Sequence, residues 1–184
     1  MKPSHIEAQA RIQTPLGALT VAASSKGVAG VWFDAQSHHP GPLSAPLDAT
    51  HPQIVGAVLA LDDYFKGRRP VRLPVLDAEG TLFQQAVWRV LGEIAVGDTT
   101  TYGEIAHRIG RSAAVRAVGV AVGRNPISIL VPCHRVIGRD GSLTGYAGGL
   151  PRKQALLAHE GWSGSSPRRL SSNAERSAPL PCRR

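Results

Sequence analysis

The sequence predicts an α/β N-terminal domain, a small antiparallel sheet with one helix, followed by a mostly helical C-terminal domain that holds a helix-turn-helix. Three observations carry this. Short β-patterned runs separated by turn chemistry fill residues 9 to 33. From Thr81 onward, apolar residues recur at helical spacing in successive segments. Between these regions lies "RRPVRLPVLDAEG", an extended stretch with two prolines that reads as a crossing. The expected domains are 1–76 and 77–162, with 163–184 as a disordered basic tail.

The first element is "QARIQT", followed by "ALTVAAS" and "GVAGVWF". Pro15-Leu16-Gly17 and Ser24-Ser25-Lys26-Gly27 supply the turns. "DAQSHHPGPLSAPLDATHP" is a loop. A helix over about Gln53 to Lys66 puts Ile54, Val58, Leu61 and Phe65 on one face, and Gly67 stops it. In "TLFQQAVWRVLGEI", Phe83, Val87, Val90, Leu91 and Ile94 share a side, with Thr81 as cap.

Two helices about Gly110-Arg111 follow. Thr101 and Glu104 fit a capping box on the first. Ser112 is placed to cap the second, whose buried stripe is Val115, Val118, Gly119 and Val122. Its outward face carries Ala113, Arg116, Ala117, Val120 and Arg124. Small residues around two arginines let a helix backbone approach a flat partner; packing against the first domain is the alternative. A last helix runs from Pro151 to about His159, anchored by Leu156, Leu157 and Trp162 and stopped at Gly161.

The 184 residues are 42% hydrophobic, enough for a core, and carry a net charge of +8. From Ser163 onward five arginines and Glu175 give the tail +4, leaving +4 for the rest. That mildly basic body suits nucleic acid without demanding it. Two cysteines, Cys133 and Cys182, are too few for a disulfide framework or a thiolate zinc site. No apolar run spans a bilayer and the start has no apolar signal region, so a reducing, cytoplasmic interior is expected.

The chemistry concentrates at "VPCHRVIG", residues 131–138. Cys133 and His134 are adjacent, and neighbours point apart on a strand and by about a quarter turn on a helix. The apolar run Ile127 to Val131 reads as a strand ended by Pro132. A cysteine there is ordinarily a core residue. Against that stand the cations His134 and Arg135 beside the thiol, and the glycine-rich "TGYAGG" at 144–149. Glu160 faces the negative end of its helix, unfavourable by a few tenths to about 1 kcal/mol when exposed, and calls for a cationic partner. If His134 is that partner, the order is Cys133, water, His134, Glu160.

"NPISILVPCHRVIG", with "TYGEIA", "AVRAVG", "GYAGG" and "LLAHEG", closely resembles the O6-alkylguanine-DNA alkyltransferases. The resemblance runs from about Thr81 to Trp162, with a weaker match before it. It implies an RNase H-like first domain and a winged-helix-like second. It implies DNA repair by single-turnover transfer of an alkyl group from O6-alkylguanine to Cys133 after nucleotide flipping. His134 is then the water-linked base, Glu160 orients it, Asn125 braces the network and Tyr102 gives the guanine ring a proton.

Arg116 corresponds to the family's finger, entering from the minor groove, with Ala113, Ala117, Gly119 and Arg124 on the DNA-binding helix. The carbonyls of Cys133 and Val136 correspond to the contacts with the guanine amine. Tyr146, Ala147, Gly148 and Gly149 form the loop over the base, and Lys153 supports it. The implied partner is double-stranded DNA containing O6-alkylguanine, bound by a monomer, with no membrane. No cofactor and no metal are expected, since no cysteine precedes Cys133 to join His5, His38, His39 and His51. Two rivals are a lesion sensor that binds without transfer, and a cysteine hydrolase using Cys133, His134 and Glu160.

Overall fold

A computed structural model describes residues 5–164. The expected tail, with Cys182, lies outside them but for Ser163 and Gly164. Strands β1 (Ala8–Ile12), β2 (Leu19–Ala23) and β3 (Val28–Phe33) form an antiparallel meander in the order β1-β2-β3. Helix α1 (Pro52–Phe65) buries Ile54, Ala57, Ala60 and Leu61, packing on β1, β2 and β3. Every residue of β3 is buried. One reason is that β3 also meets the second domain, where Val31 bridges Ile127.

Helices α2 (Leu82–Gly92), α3 (Tyr102–Arg108), α4 (Val115–Gly123) and α5 (Leu150–His159) build the second domain. The Trp88 indole N–H donates to the Ala121 carbonyl at 2.9 Å, fixing α2 to α4. A two-residue parallel pair, β4 (Thr100–Thr101) with β5 (Val136–Ile137), sets Thr100 opposite Val136 and Thr101 opposite Ile137. β4 leads directly into Tyr102, and β5 directly follows the segment 133–135. In this parallel register Tyr102 continues at the Ile137 end of the pair, while the segment 133–135 enters at the Val136 end, so the pair ties the start of α3 to the chain that carries the thiol. Among the described residues no helix is long and apolar enough to cross a membrane.

Some local expectations change. Thr101 accepts from the Glu104 N–H at 3.1 Å, but the reciprocal half of a box is complete only at Thr81 and Gln84, at 3.2 and 2.9 Å. Ser112 does not cap α4: residues Ser112–Ala114 make a 3₁₀ turn, and α4 starts at Val115 without a side-chain cap. The later start leaves Val115 40% exposed, and Ala121 joins Val118 and Val122 in the buried stripe. The run Ile127 to Val131 is a tight turn rather than a strand, with Ile129 at φ 71°.

Thr81→Ala removes the bond that the Thr81 hydroxyl accepts from the Gln84 N–H and keeps the one its backbone N–H donates to Gln84. It is expected to lower unfolding stability by about 1 kcal/mol, read as a shift of the urea midpoint at unchanged slope.

Candidate active site

Asn125 organises the turn that carries the thiol. Its side-chain oxygen accepts the Ile127 N–H at 3.0 Å. Its amide donates to the Val131 carbonyl at 2.8 Å, the Ile127 carbonyl at 3.3 Å and Cys133 Sγ at 3.1 Å. These bonds hold the chain around Ile129, a β-branched residue in the left-handed region, where such residues rarely sit. Pro132 then starts a 3₁₀ turn over Cys133–Arg135, closed by the Val136 N–H on the Cys133 carbonyl.

Three residues per 3₁₀ turn send successive side chains in different directions. Cys133, 4% exposed, points to Asn125, while His134, fully buried, points to α5. His134 Nε2 lies 2.8 Å from Glu160 Oε1. Burial alone would raise the Glu160 pKa, but hydrogen bonds from His134 and Arg135 and their charges bring it down to about 2. The carboxylate is ionised, so Nε2 carries the proton and donates. The other nitrogen, Nδ1, is then the basic one, and it is buried without a hydrogen-bond partner among the described protein atoms.

Glu160 has further donors. Arg135 forks onto it, Nε to Oε2 and Nη2 to Oε1, both at 2.8 Å, while Nη1 donates to the Ile94 carbonyl. The Tyr64 hydroxyl donates to Oε1 at 2.9 Å and the Gly97 N–H to Oε2 at 3.5 Å. The cationic partner that the helix end required is therefore Arg135, with His134 as a further hydrogen-bond donor. Burial lowers the His134 pKa against the pull of Glu160, and burial raises the Cys133 thiol against the Asn125 hydrogen bond. At neutral pH the resting pair is a thiol and a neutral imidazole, a nucleophile with a base in waiting.

A cavity of about 270 Å³ opens beside this network. Ser37, His38, Tyr102, Gly119, Tyr146 and Ala147 are among its walls. That is just below the usual range of ligand pockets, about 300–1,000 Å³. Tyr146 links cavity and relay, its ring edge-on to His134 at 6.4 Å. The Tyr102 hydroxyl is 3.0 Å from Thr144 Oγ1. Gly148 is required where it stands, because a Cβ there would meet the Tyr146 ring at 2.6 Å. Lys153, fully buried, donates to the Val136 and Thr144 carbonyls at 2.5 and 2.8 Å, tying the 144–149 loop to β5.

From one 3₁₀ turn the structure thus brings Cys133 to Asn125 and His134 to Glu160, two pairs with no hydrogen bond between them among the described residues, and sets Tyr102, Tyr146 and Ala147 on the adjoining cavity. Val136 contributes its carbonyl, which Lys153 already engages. Ala113, Arg116, Ala117 and Arg124 are exposed on the outer side of the 112–124 segment. Gly119 instead stands against the Tyr102 ring and lines the cavity. Sequence reasoning missed the Arg135 clamp, although Arg135 adjoins His134. It also missed Tyr64, Ser37 and His38, which no local pattern marks. Among the described residues no group of three or more His, Cys, Asp or Glu side chains is arranged to hold a metal ion.

A buried thiol adjoining a hydrogen-bonded His–Glu pair, set into a helix-turn-helix unit, is the arrangement of a cysteine group-transfer protein of the nucleic-acid-binding kind. Residues 82–162 match the model for the 6-O-methylguanine DNA methyltransferase DNA-binding domain, and residues 9–76 that for its ribonuclease-like domain. The methylated-DNA–protein-cysteine methyltransferase of Mycolicibacterium paratuberculosis is 46% identical over 150 residues, 81% of this chain and 89% of the relative. That of Haemophilus influenzae is 43% identical over 149 residues, 80% and 82% of the two chains. The crystal structure of Mycobacterium tuberculosis OGT in complex with DNA superposes with a TM-score of 0.75 at 43% identity, covering 83% of this chain and 92% of that one. The chain belongs to the methylated-DNA–protein-cysteine methyltransferase family.

Proposed function

We propose that this protein repairs DNA by moving an alkyl group from O6-alkylguanine directly and irreversibly onto Cys133. The observation that carries the reading is the buried thiol held by Asn125 next to a His134–Glu160 pair whose basic nitrogen is free of protein partners. The target nucleotide leaves the duplex and its base enters the cavity beside Tyr102 and Tyr146, since O6 inside a base stack cannot reach a buried sulfur. A bridging water passes the thiol proton to His134 Nδ1, and Glu160 stabilises the imidazolium. Sγ forms a bond to the alkyl carbon as the carbon–O6 bond breaks, and the electron pair stays on guanine. The Tyr102 hydroxyl gives the ring a proton, so the base leaves neutral. A thioether resists hydrolysis, so the alkyl group stays on the sulfur and each molecule is limited to one transfer.

Arg116 enters from the minor groove and fills the space of the flipped nucleotide, with Ala113, Ala117 and Arg124 against the backbone. The minor groove carries little sequence information, which suits a lesion found anywhere. The Cys133 and Val136 carbonyls each keep a second lone pair for the guanine amine. Tyr146 to Gly148 cover the base and Lys153 holds them. The protein acts as a monomer without cofactor or metal, in the DNA-containing compartment of its cell, and its domains divide at residue 76.

The test is intact and peptide mass measurement after mixing with an O6-methylguanine duplex, beside Cys133→Ser. The expected result is one added methylene on the Cys133 peptide, saturating at one per protein, with guanine left in the DNA and no gain in the variant. Tight binding without a mass gain would make it a lesion sensor, and repeated turnover would make it a hydrolase.

A further inference from the structure

Among the described residues of the first domain, Tyr64 alone hydrogen-bonds the proton relay, 96 positions before Glu160 in sequence. We infer that Tyr64 is a positioning residue for alkyl transfer: its phenol, presented by α1, holds the Glu160 carboxylate and moderates its pull on His134. The inference rests on the reading of His134 as the base for Cys133.

Five donors converge on Glu160: Tyr64, His134 and Arg135 Nη2 on Oε1, Arg135 Nε and the Gly97 N–H on Oε2. A carboxylate offers about four lone-pair sites, so the group is saturated. Each added donor stabilises the anion and lowers its hunger for the Nε2 proton. Tyr64 remains a donor because burial, followed by the Glu160 charge, raises its pKa far above neutrality. It is itself fixed: His159 Nε2 donates to the Tyr64 carbonyl at 2.7 Å, and the rings of His159 and Phe65 lie 5.1 and 5.2 Å from its own. The C-terminal ends of α1 and α5 are thereby locked at consecutive residues, His159 and Glu160.

The other charged or titratable groups around the relay are Arg135 and Cys133 from the 3₁₀ turn, Lys153 and His159 from α5, and Tyr146 from the glycine-rich loop. None contacts Glu160 through Tyr64, so removing the hydroxyl changes one bond. The carboxylate then binds the imidazolium more strongly, and His134 protonates at higher pH. Protonated His134 cannot accept the thiol proton, so the acid limb of the transfer rate moves to higher pH.

The experiment measures single-turnover transfer from an O6-methylguanine duplex, by protein mass, between about pH 4 and 9. It compares wild type, Tyr64→Phe and Tyr64→3-fluorotyrosine, whose more acidic phenol is a stronger donor. For Tyr64→Phe the acid limb is expected to rise by about half to one pH unit. The fluorinated variant moves it the opposite way, and duplex affinity is unchanged in both. Coincident limbs, with only the plateau or melting temperature altered, would reduce Tyr64 to a structural contact and overturn the inference. If Tyr64→Phe fails to fold, the fluorinated variant decides alone, since it keeps the volume and the hydroxyl. Wild type that transfers at no pH would instead remove the proposed function itself.

Discussion

Glu160→Gln is expected to lower the rate of alkyl transfer by about 10² to 10⁴-fold and to destabilise the fold by about 3–5 kcal/mol. The two losses have separate origins. Arg135, 6% exposed and forked onto the carboxylate, would keep its charge without a counterion. An amide also turns one acceptor oxygen into a donor that must face His134, Tyr64 or Arg135, all donors themselves. Where it faces His134, the imidazole flips its proton to Nδ1, the nitrogen that must be free to accept from the thiol. Urea unfolding checks the first loss and single-turnover transfer at a permissive urea-free temperature the second. Equal loss of stability with unimpaired transfer would separate Glu160 from the chemistry.

The same carboxylate sets an acid dependence of stability. Its pKa falls from 4.5 unfolded to about 2 folded, so its contribution is present above pH 4.5 and is lost as pH falls toward 2. A shift of that size corresponds to roughly 3 kcal/mol, in keeping with the cost expected for the amide. Across this window wild type should lose more stability than Glu160→Gln, and the two should converge near pH 2.

Most of this site was legible because its parts are local or periodic. Cys133, His134 and Arg135 are consecutive, Asn125 sits on the same turn, and a carboxylate at a helix C-terminus asks for a cation. What stayed hidden came from long-range pairing. The β4–β5 register that ties the start of α3 to the segment carrying the thiol is only two residues long, too short for an alternation signal. Tyr64 lies on a helix whose apolar face reads as core, and only the packing of α1 against the end of α5 turns its hydroxyl toward Glu160. Ile127 to Val131 misled for a different reason. Its apolar β-branched residues fit a buried strand, but the Asn125 hydrogen bonds and the Val31 bridge bend the chain through Ile129. Arg135 was assigned to the thiolate because it is close in sequence, whereas the stronger attraction is the bidentate carboxylate.

Asn125→Asp tests whether the hydrogen bond to the sulfur serves the chemistry or only the turn. The substitution keeps the oxygen that accepts from Ile127 and replaces the donor that faces Sγ, the Val131 carbonyl and the Ile127 carbonyl. An ionised carboxylate there repels the forming thiolate and leaves buried carbonyls without their donor, a loss of about 1–3 kcal/mol in stability. Each unit added to the thiol pKa removes tenfold of the thiolate, so transfer at neutral pH should fall at least about 100-fold for a shift of two units. The same crowding of acceptors raises the pKa of the introduced carboxyl itself. As pH falls that carboxyl takes up a proton and becomes a donor again, so the variant's deficit relative to wild type should narrow. Unfolding stability followed over the same pH range separates the two roles: a deficit in transfer that tracks the loss of stability at every pH would show that Asn125 shapes the turn without assisting the sulfur.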